Sequence, residues 1–196
     1  MTRLISFFLL SIPLVAQSQT VRQTMIIEDE STFRISGKSS VNSFDCQIVQ
    51  GFCGESVDVC YNLQATTVKF DNTKFSIPVN QFDCGSNFIT RDMKKTLKAE
   101  EYPFMQFELL SIINFDNLNC NNSKAETLVT IAGVTNRYLL NYDISQLDED
   151  TFKIKLNSTF DINDFNLNPP SALMGLIKVD KTIDVSLSLQ TRIEQP

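Results

Sequence analysis

Alternation of apolar and polar residues limits most strongly how this chain can fold. In "FKIKLNSTFDI", Phe152, Ile154, Leu156, Phe160 and Ile162 fall on one side, and Lys153, Lys155, Asn157, Thr159 and Asp161 on the other. "IDVSLSLQTRI" repeats the pattern, with Ile183, Val185, Leu187, Leu189 and Ile193 opposing Asp184, Ser186, Ser188, Gln190 and Arg192. Successive strand side chains point to opposite faces, so both segments read as strands with one apolar face. Shorter runs of this kind lie at 33–39, 66–70, 74–79, 104–113, 128–131 and 138–144, each bounded by Gly, Asn, Asp or Pro, which favour turns. Antiparallel sheets produce such alternation, whereas parallel strands buried on both faces read as solid apolar runs. No long segment of helical period links the strands. A sheet with one apolar face must close on itself or meet a second sheet, and the long strands favour closure. The expected fold is all-β: an antiparallel barrel of about eight strands, whose interior is either filled by side chains or holds one small ligand. There is no internal repeat or linker, so a single domain is expected over residues 20–196.

The first residues read differently. "MTR" supplies a positive charge, "LISFFLLSIPLVA" is a short apolar core, and Ala16-Gln17-Ser18 offers small residues for cleavage. Residues 1–18 are therefore expected to be a signal peptide, since a membrane span needs about 20 apolar residues. No Cys lies at the cleavage point to carry a lipid anchor. The expected location is periplasmic or secreted, with no integral membrane segment after processing. Five cysteines follow, Cys46, Cys53, Cys60, Cys84 and Cys120. An oxidising compartment favours disulfides, and an odd count leaves at least one thiol outside any intrachain bridge. Cys46, Cys53 and Cys60 are evenly spaced around the turn-rich "QGFCGES", so a local bridge among these three is expected.

The chain contains no histidine. That excludes Ser-His-Asp and Cys-His relays, imidazole-ligated zinc and haem with a proximal His. No recognisable carboxylate pair and no Cys-x-x-Cys is present. A net charge of −6 argues against nucleic acid, which needs a basic footprint. Neither an enzyme, nor a metal, nor a cofactor is expected.

One segment interrupts the strands. After Thr90, a candidate N-cap, come Asp92, favourable near a positive helix end, and Met93 and Leu97 at helical spacing with the stems of Lys94 and Lys98. Pro103 forbids continuation and biases Tyr102 to extended backbone. A short helical turn across a barrel mouth is expected, with Met93 and Leu97 facing in, either as a plug that completes the core or as a lid over a ligand.

The same segment, "NFITRDMKKTLKAEEYPFMQFEL", resembles the signature of the YceI-like, lipid/polyisoprenoid-binding family: an Asn, an Arg-Asp pair, an amphipathic turn, and Tyr-Pro-x-x-x-Phe opening a strand. Here these are Asn87, Arg91, Asp92, Tyr102, Pro103 and Phe107. "ISGKSSVNSF" at 35–44 is similar to the family's first strand, "IAGVTN" at 131–136 to its "L-x-GVTK" stretch, and the segment 164–189 to its closing "DFxI", loop and last strand. The sequence departs from the family in having Phe88 and Lys94 where many members carry His. The resemblance implies a lipocalin-like barrel, exported, with an apolar interior for a polyisoprenoid or other long apolar lipid, isoprenoid quinones among the candidates. Phe70, Phe75, Phe107, Tyr142, Phe160 and Met174, with Met93 and Leu97, are the candidate lining residues, each equally compatible with ordinary core packing. Asn87, Arg91 and Lys94, with Lys95 as an alternative, are the candidate contacts to the polar head. The competing readings are an exported interaction domain with a filled barrel and, least favoured, an enzyme on isoprenoid-like substrates.

Overall fold

The computed structural model describes residues 20–48, 55–64, 67–113, 120–172 and 177–194. They form twelve strand segments: β1 (Thr20–Ile27), β2 (Thr32–Ser39), β3 (Ser43–Ile48), β4 (Ser56–Gln64), β5 (Thr67–Pro78), β6 (Phe82–Asp83), β7 (Phe104–Ile113), β8 (Cys120–Ile131), β9 (Val134–Gln146), β10 (Thr151–Asp161), β11 (Ser171–Ala172) and β12 (Ile177–Ile193). One helix, α1 (Asn87–Thr96), lies between β6 and β7. All pairings are antiparallel, and β1-β4-β5-β7-β8-β9-β10-β12 close into an eight-stranded ring through the β12–β1 pairing. The all-β barrel expected from the alternation is the observed fold.

More segments than eight arise because two positions in the ring are each occupied by two strands, and because the two-residue strands β6 and β11 add to β3 and β12. β12 is 17 residues long. Its last residues pair with β1, and residues 179–188 pair with β2, so β1 and β2 lie end to end along one edge. The kink between them is stitched to Gln190: its carbonyl accepts from the Glu28 N–H and the Ser31 hydroxyl, and its N–H donates back to Ser31 Oγ. β3 and β4 flank β2 and β1 in the same way. The runs at 66–70 and 74–79, which read as two strands, are one: β5 passes through a bulge between Lys69 and Thr73, with Asn72 in left-handed backbone. Asp71-Asn72 resembles a turn in sequence because the same residues that suit turns also suit the irregular backbone of a bulge.

The register puts the expected residues inside. Leu156 faces Leu187, Ser158 faces Val185 and Phe160 faces Ile183 across β10 and β12. Phe152, Phe160, Ile183, Val185 and Leu187 are buried while Lys155, Asp184 and Ser186 are exposed. Aromatic rings fill the middle of the barrel. Phe33 makes edge contacts with Phe82 and Phe107, at centroid separations of 5.6 and 5.9 Å, and Phe75 lies 6.3 Å from Phe107. Such offset geometries suit the ring quadrupoles. A smaller apolar cluster of Val68, Ile112, Ala125 and Tyr142, with Phe70 against it, forms separately.

The expectation of a bridge among Cys46, Cys53 and Cys60 is corrected. Cys46 is bonded to Cys84, and Cys60 is free. β3 and β6 pair with Gln47 opposite Asp83 and Ile48 opposite Phe82, so one step further along the register Cys46 meets Cys84. Even spacing in sequence carried no information about that long-range pairing. Cys53 and the side chain of Cys120 lie outside the described residues.

Candidate functional site

α1 begins earlier than expected. Its N-cap is Ser86, not Thr90, and Thr90 sits within the first turn with its hydroxyl accepting from the Cys84 N–H at 2.9 Å and facing Asp83 Oδ1 at 3.3 Å. The Asp83 carboxylate also accepts from the Gly85 N–H. These bonds, with the Cys46–Cys84 bridge one residue away, anchor the helix start to the barrel. The earlier start adds Ile89 to Met93 and Leu97, an i, i+4, i+8 stripe on one helix face. Ile89 and Met93 pack against the core and Leu97 is buried. The helix ends with Lys98 in left-handed backbone, where the Ala99 N–H reaches the Lys94 carbonyl and the Leu97 N–H the Met93 carbonyl.

Beneath this stripe lies a cavity of about 360 Å³ at the barrel mouth. α1 contributes Phe88, Ile89 and Met93, and its C-cap Leu97; β2 contributes Ile35, the turn after it Val41, and β3 Phe44; the far wall is Ile162, Leu167, Pro170, Val179 and Ile183. Its volume falls within the range of about 300–1,000 Å³ common for small-molecule sites, and its wall is overwhelmingly hydrocarbon. The next inward residues along β2 and β12 are Phe33 and Val185, both buried in the core, so the aromatic layer underlies the cavity. A second opening of about 820 Å³, between β1, β4 and the β5 bulge, is larger, but its wall is mixed, with Arg22, Asp58, Asp71 and Glu194 beside Val59 and Ile193.

The segments that resemble the family signature form the frame of this mouth. Gly37 pairs with Phe44 across β2 and β3, and a Cβ on Gly37 would come within 2.5 Å of the Phe44 ring, which fills that space and lines the cavity. Ala132-Gly133 is a two-residue hairpin turn between β8 and β9 with both residues at positive φ. Tyr102 lies over Gly133, where an added Cβ would meet its ring at 2.5 Å. The turn Ile162–Phe165 is held to β9 by the Asn136 amide donating to the Asp164 carbonyl (2.6 Å) and by the Tyr138 hydroxyl donating to the Asp164 carboxylate (2.9 Å). Burial first, and then that hydrogen bond and the negative charges of Asp164 and Asp161, push the Tyr138 hydroxyl well above the usual tyrosine range. Phe165 beneath it is 1% exposed, and Ile162 and Leu167 on either side present the cavity wall.

Of the candidate lining residues, the structure brings Met93 and Leu97 to the cavity. Phe75 and Phe107 belong to the central aromatic layer, and Phe160 packs edge-on against Tyr138 at 4.8 Å. Phe70 and Tyr142 sit in the separate cluster. Met174 lies outside the described residues. Among the head-group candidates, Asn87 is exposed at the helix start. Arg91 is 71% exposed, 3.8 Å from Asp92, with its guanidinium 5.3 Å from the Phe88 ring centre. The Lys94 ammonium donates to the Asn80 carbonyl at 2.7 Å, and Lys95 is exposed. None of these four lines the cavity, whereas Asp92 and Asp180 do. Phe44, Phe88, Ile162 and Ile183 were not singled out as lining in the sequence. The Gly37–Phe44 spacing and the helical stripe from Ile89 were the available signals. Among the described residues no cluster of three His, Cys, Asp or Glu side chains could hold a metal, and no helix is long and apolar enough to cross a membrane.

The geometry defines a closed eight-stranded antiparallel barrel with an apolar cavity under a helix at one mouth. The same fold is found in Burkholderia cenocepacia BcnA (12% identity, 82% of this chain and 95% of that one, TM-score 0.62). It is found also in a polyisoprenoid binding domain from Saccharophagus degradans implicated in plant cell wall breakdown (8% identity, 88% and 99%, TM-score 0.58), and in the Campylobacter jejuni YceI protein (16% identity, 71% and 82%, TM-score 0.53). The model of the YceI-like domain matches residues 20–191, nearly the whole barrel, and the chain belongs to the YceI-like family. No curated protein matches it by sequence.

Proposed function

We propose that this protein is an exported lipid-binding protein that holds a polyisoprenoid-type chain in the cavity beneath α1. The observation that carries the reading is the cavity itself: about 360 Å³, walled by Ile, Val, Phe, Met and Leu side chains from α1, β2 and β12. Water in such a space is poorly satisfied, and transferring an apolar tail into it gains roughly 25 cal/mol per Å² removed from water. Family membership supports the reading, as does the fold shared with the polyisoprenoid binding domain from Saccharophagus degradans. The absence of His and the lack of a catalytic constellation in the sequence support binding over catalysis. The apolar segment ahead of the domain supports export, with the mature chain beginning near residues 17–20; intact-mass measurement of the secreted protein tests this, and retention of the segment refutes it.

The chain contains no Trp, which makes a clean binding assay available. Phe88 lines the mouth and is 52% exposed, so Phe88→Trp places a single fluorophore at the entrance. Titration with prenyl alcohols of increasing length is expected to shift its emission to the blue, with affinity rising with tail length until the cavity is full. No response to any prenyl chain, with the fold intact, would favour the filled-barrel interaction domain.

A further inference from the structure

We propose that the cavity mouth selects the polar end of its ligand by charge, favouring a cationic amine, accepting an uncharged hydroxyl or carbonyl, and disfavouring phosphate or carboxylate. This rests on the reading of the cavity as a lipid site and concerns only the head group. Two charged side chains line the cavity, Asp92 and Asp180, and both are acidic. The polar lining otherwise consists of neutral groups, among them Ser39, Asn42 and Ser86. Asp92 is held at the rim by the helix, and its side chain is 28% exposed. Asp180 comes from the irregular stretch between Val179 and Ile183, is exposed, and among the described residues makes no ion pair.

The cations nearby are turned to other uses. Arg91 offsets part of the Asp92 charge but sits outside the cavity, over the Phe88 ring. An exposed pair of that kind is worth little. Lys94 keeps its charge, but its ammonium is directed to the Asn80 carbonyl and it does not line the cavity. Lys95, Lys178 and Lys181 are exposed and do not line the cavity. A head group stopping at the rim therefore meets two carboxylates beside a hydrocarbon wall of low dielectric, where charge is screened less than in water. The net charge of −6 adds a repulsive background for anionic lipids.

The test uses three ligands with one prenyl tail: the amine, the alcohol and the monophosphate, titrated calorimetrically into the wild-type protein. The amine is expected to bind more tightly than the alcohol and the alcohol more tightly than the phosphate, by about three- to tenfold per step, with the spread narrowing as salt rises. The Asp92→Asn, Asp180→Asn double variant should bring the amine-to-phosphate ratio to within about threefold. Should that variant fold poorly, the salt dependence of the ratio on the wild type decides alone. Equal affinity for all three ligands, or tightest binding of the phosphate, overturns the charge selection and leaves the lipid reading standing. Absence of binding by all three overturns both.

Discussion

The Cys46–Cys84 bridge should set much of the stability of the cavity end of the barrel. It closes a loop with a sequence separation of 38, which carries β4, β5 and the turn into β6. Constraining such a loop lowers the entropy of the unfolded chain by about 13 cal/mol/K, or about 4 kcal/mol at 25 °C. Both cysteines are buried, so Cys46→Ala with Cys84→Ala also removes some packing, and the expected total loss is about 4–5 kcal/mol. Urea unfolding followed by far-ultraviolet circular dichroism measures it. With an m-value of about 2 kcal/mol/M, the midpoint should fall by roughly 2–2.5 M. Reduced wild type should resemble the double variant, and Cys60→Ser should not, because Cys60 carries no bridge. Peptide mapping under non-reducing conditions must first join Cys46 to Cys84. A midpoint shift below about 0.3 M in protein so mapped would refute the loop-entropy account. A different partner for Cys46 would refute the β3–β6 register.

Gly133→Ala should destabilise the fold by about 2–4 kcal/mol, since it adds a strained positive φ to a clash with the Tyr102 ring, while Gly85→Ala, at φ +71° with nothing within 4 Å, should cost only about 1–2 kcal/mol. Thermal denaturation of the pair separates the two contributions, and equal losses would show that the Tyr102 contact is unimportant. Stability should also fall with rising pH above about 10: the raised Tyr138 hydroxyl contributes fully below its unfolded value and that contribution is lost as ionisation is forced. Tyr138→Phe should flatten that dependence in urea midpoints measured between pH 8 and 11, taken as about the accessible window. Met93→Trp should fill part of the cavity and weaken prenyl alcohol binding by about tenfold or more while the barrel stays folded, as calorimetry with parallel circular dichroism would show.

Strand faces were legible in the sequence because a period of two is local: Phe152 to Phe160 and Ile183 to Leu189 needed only their own neighbours to assign an inside and an outside. The helical interruption was legible for the same reason, through Met93, Leu97 and Pro103, although its start was placed too late because bonds from Asp83 and Thr90 depend on β6 being docked. The Gly, Tyr and Asp of the signature segments were visible as letters, but their purpose is contact between distant parts of the chain: Tyr102 on Gly133, Asp164 with Tyr138, Phe44 over Gly37. The disulfide partner and the cavity wall were decided by register, which aligns Cys46 with Cys84 and brings Ile35, Ile89, Ile162 and Ile183 to one mouth. Apolar alternation cannot distinguish a residue beside a cavity from one in a packed layer, because both face inward. Closure of the barrel places Phe107 and Phe33 in the packed layer and leaves space above them beneath α1.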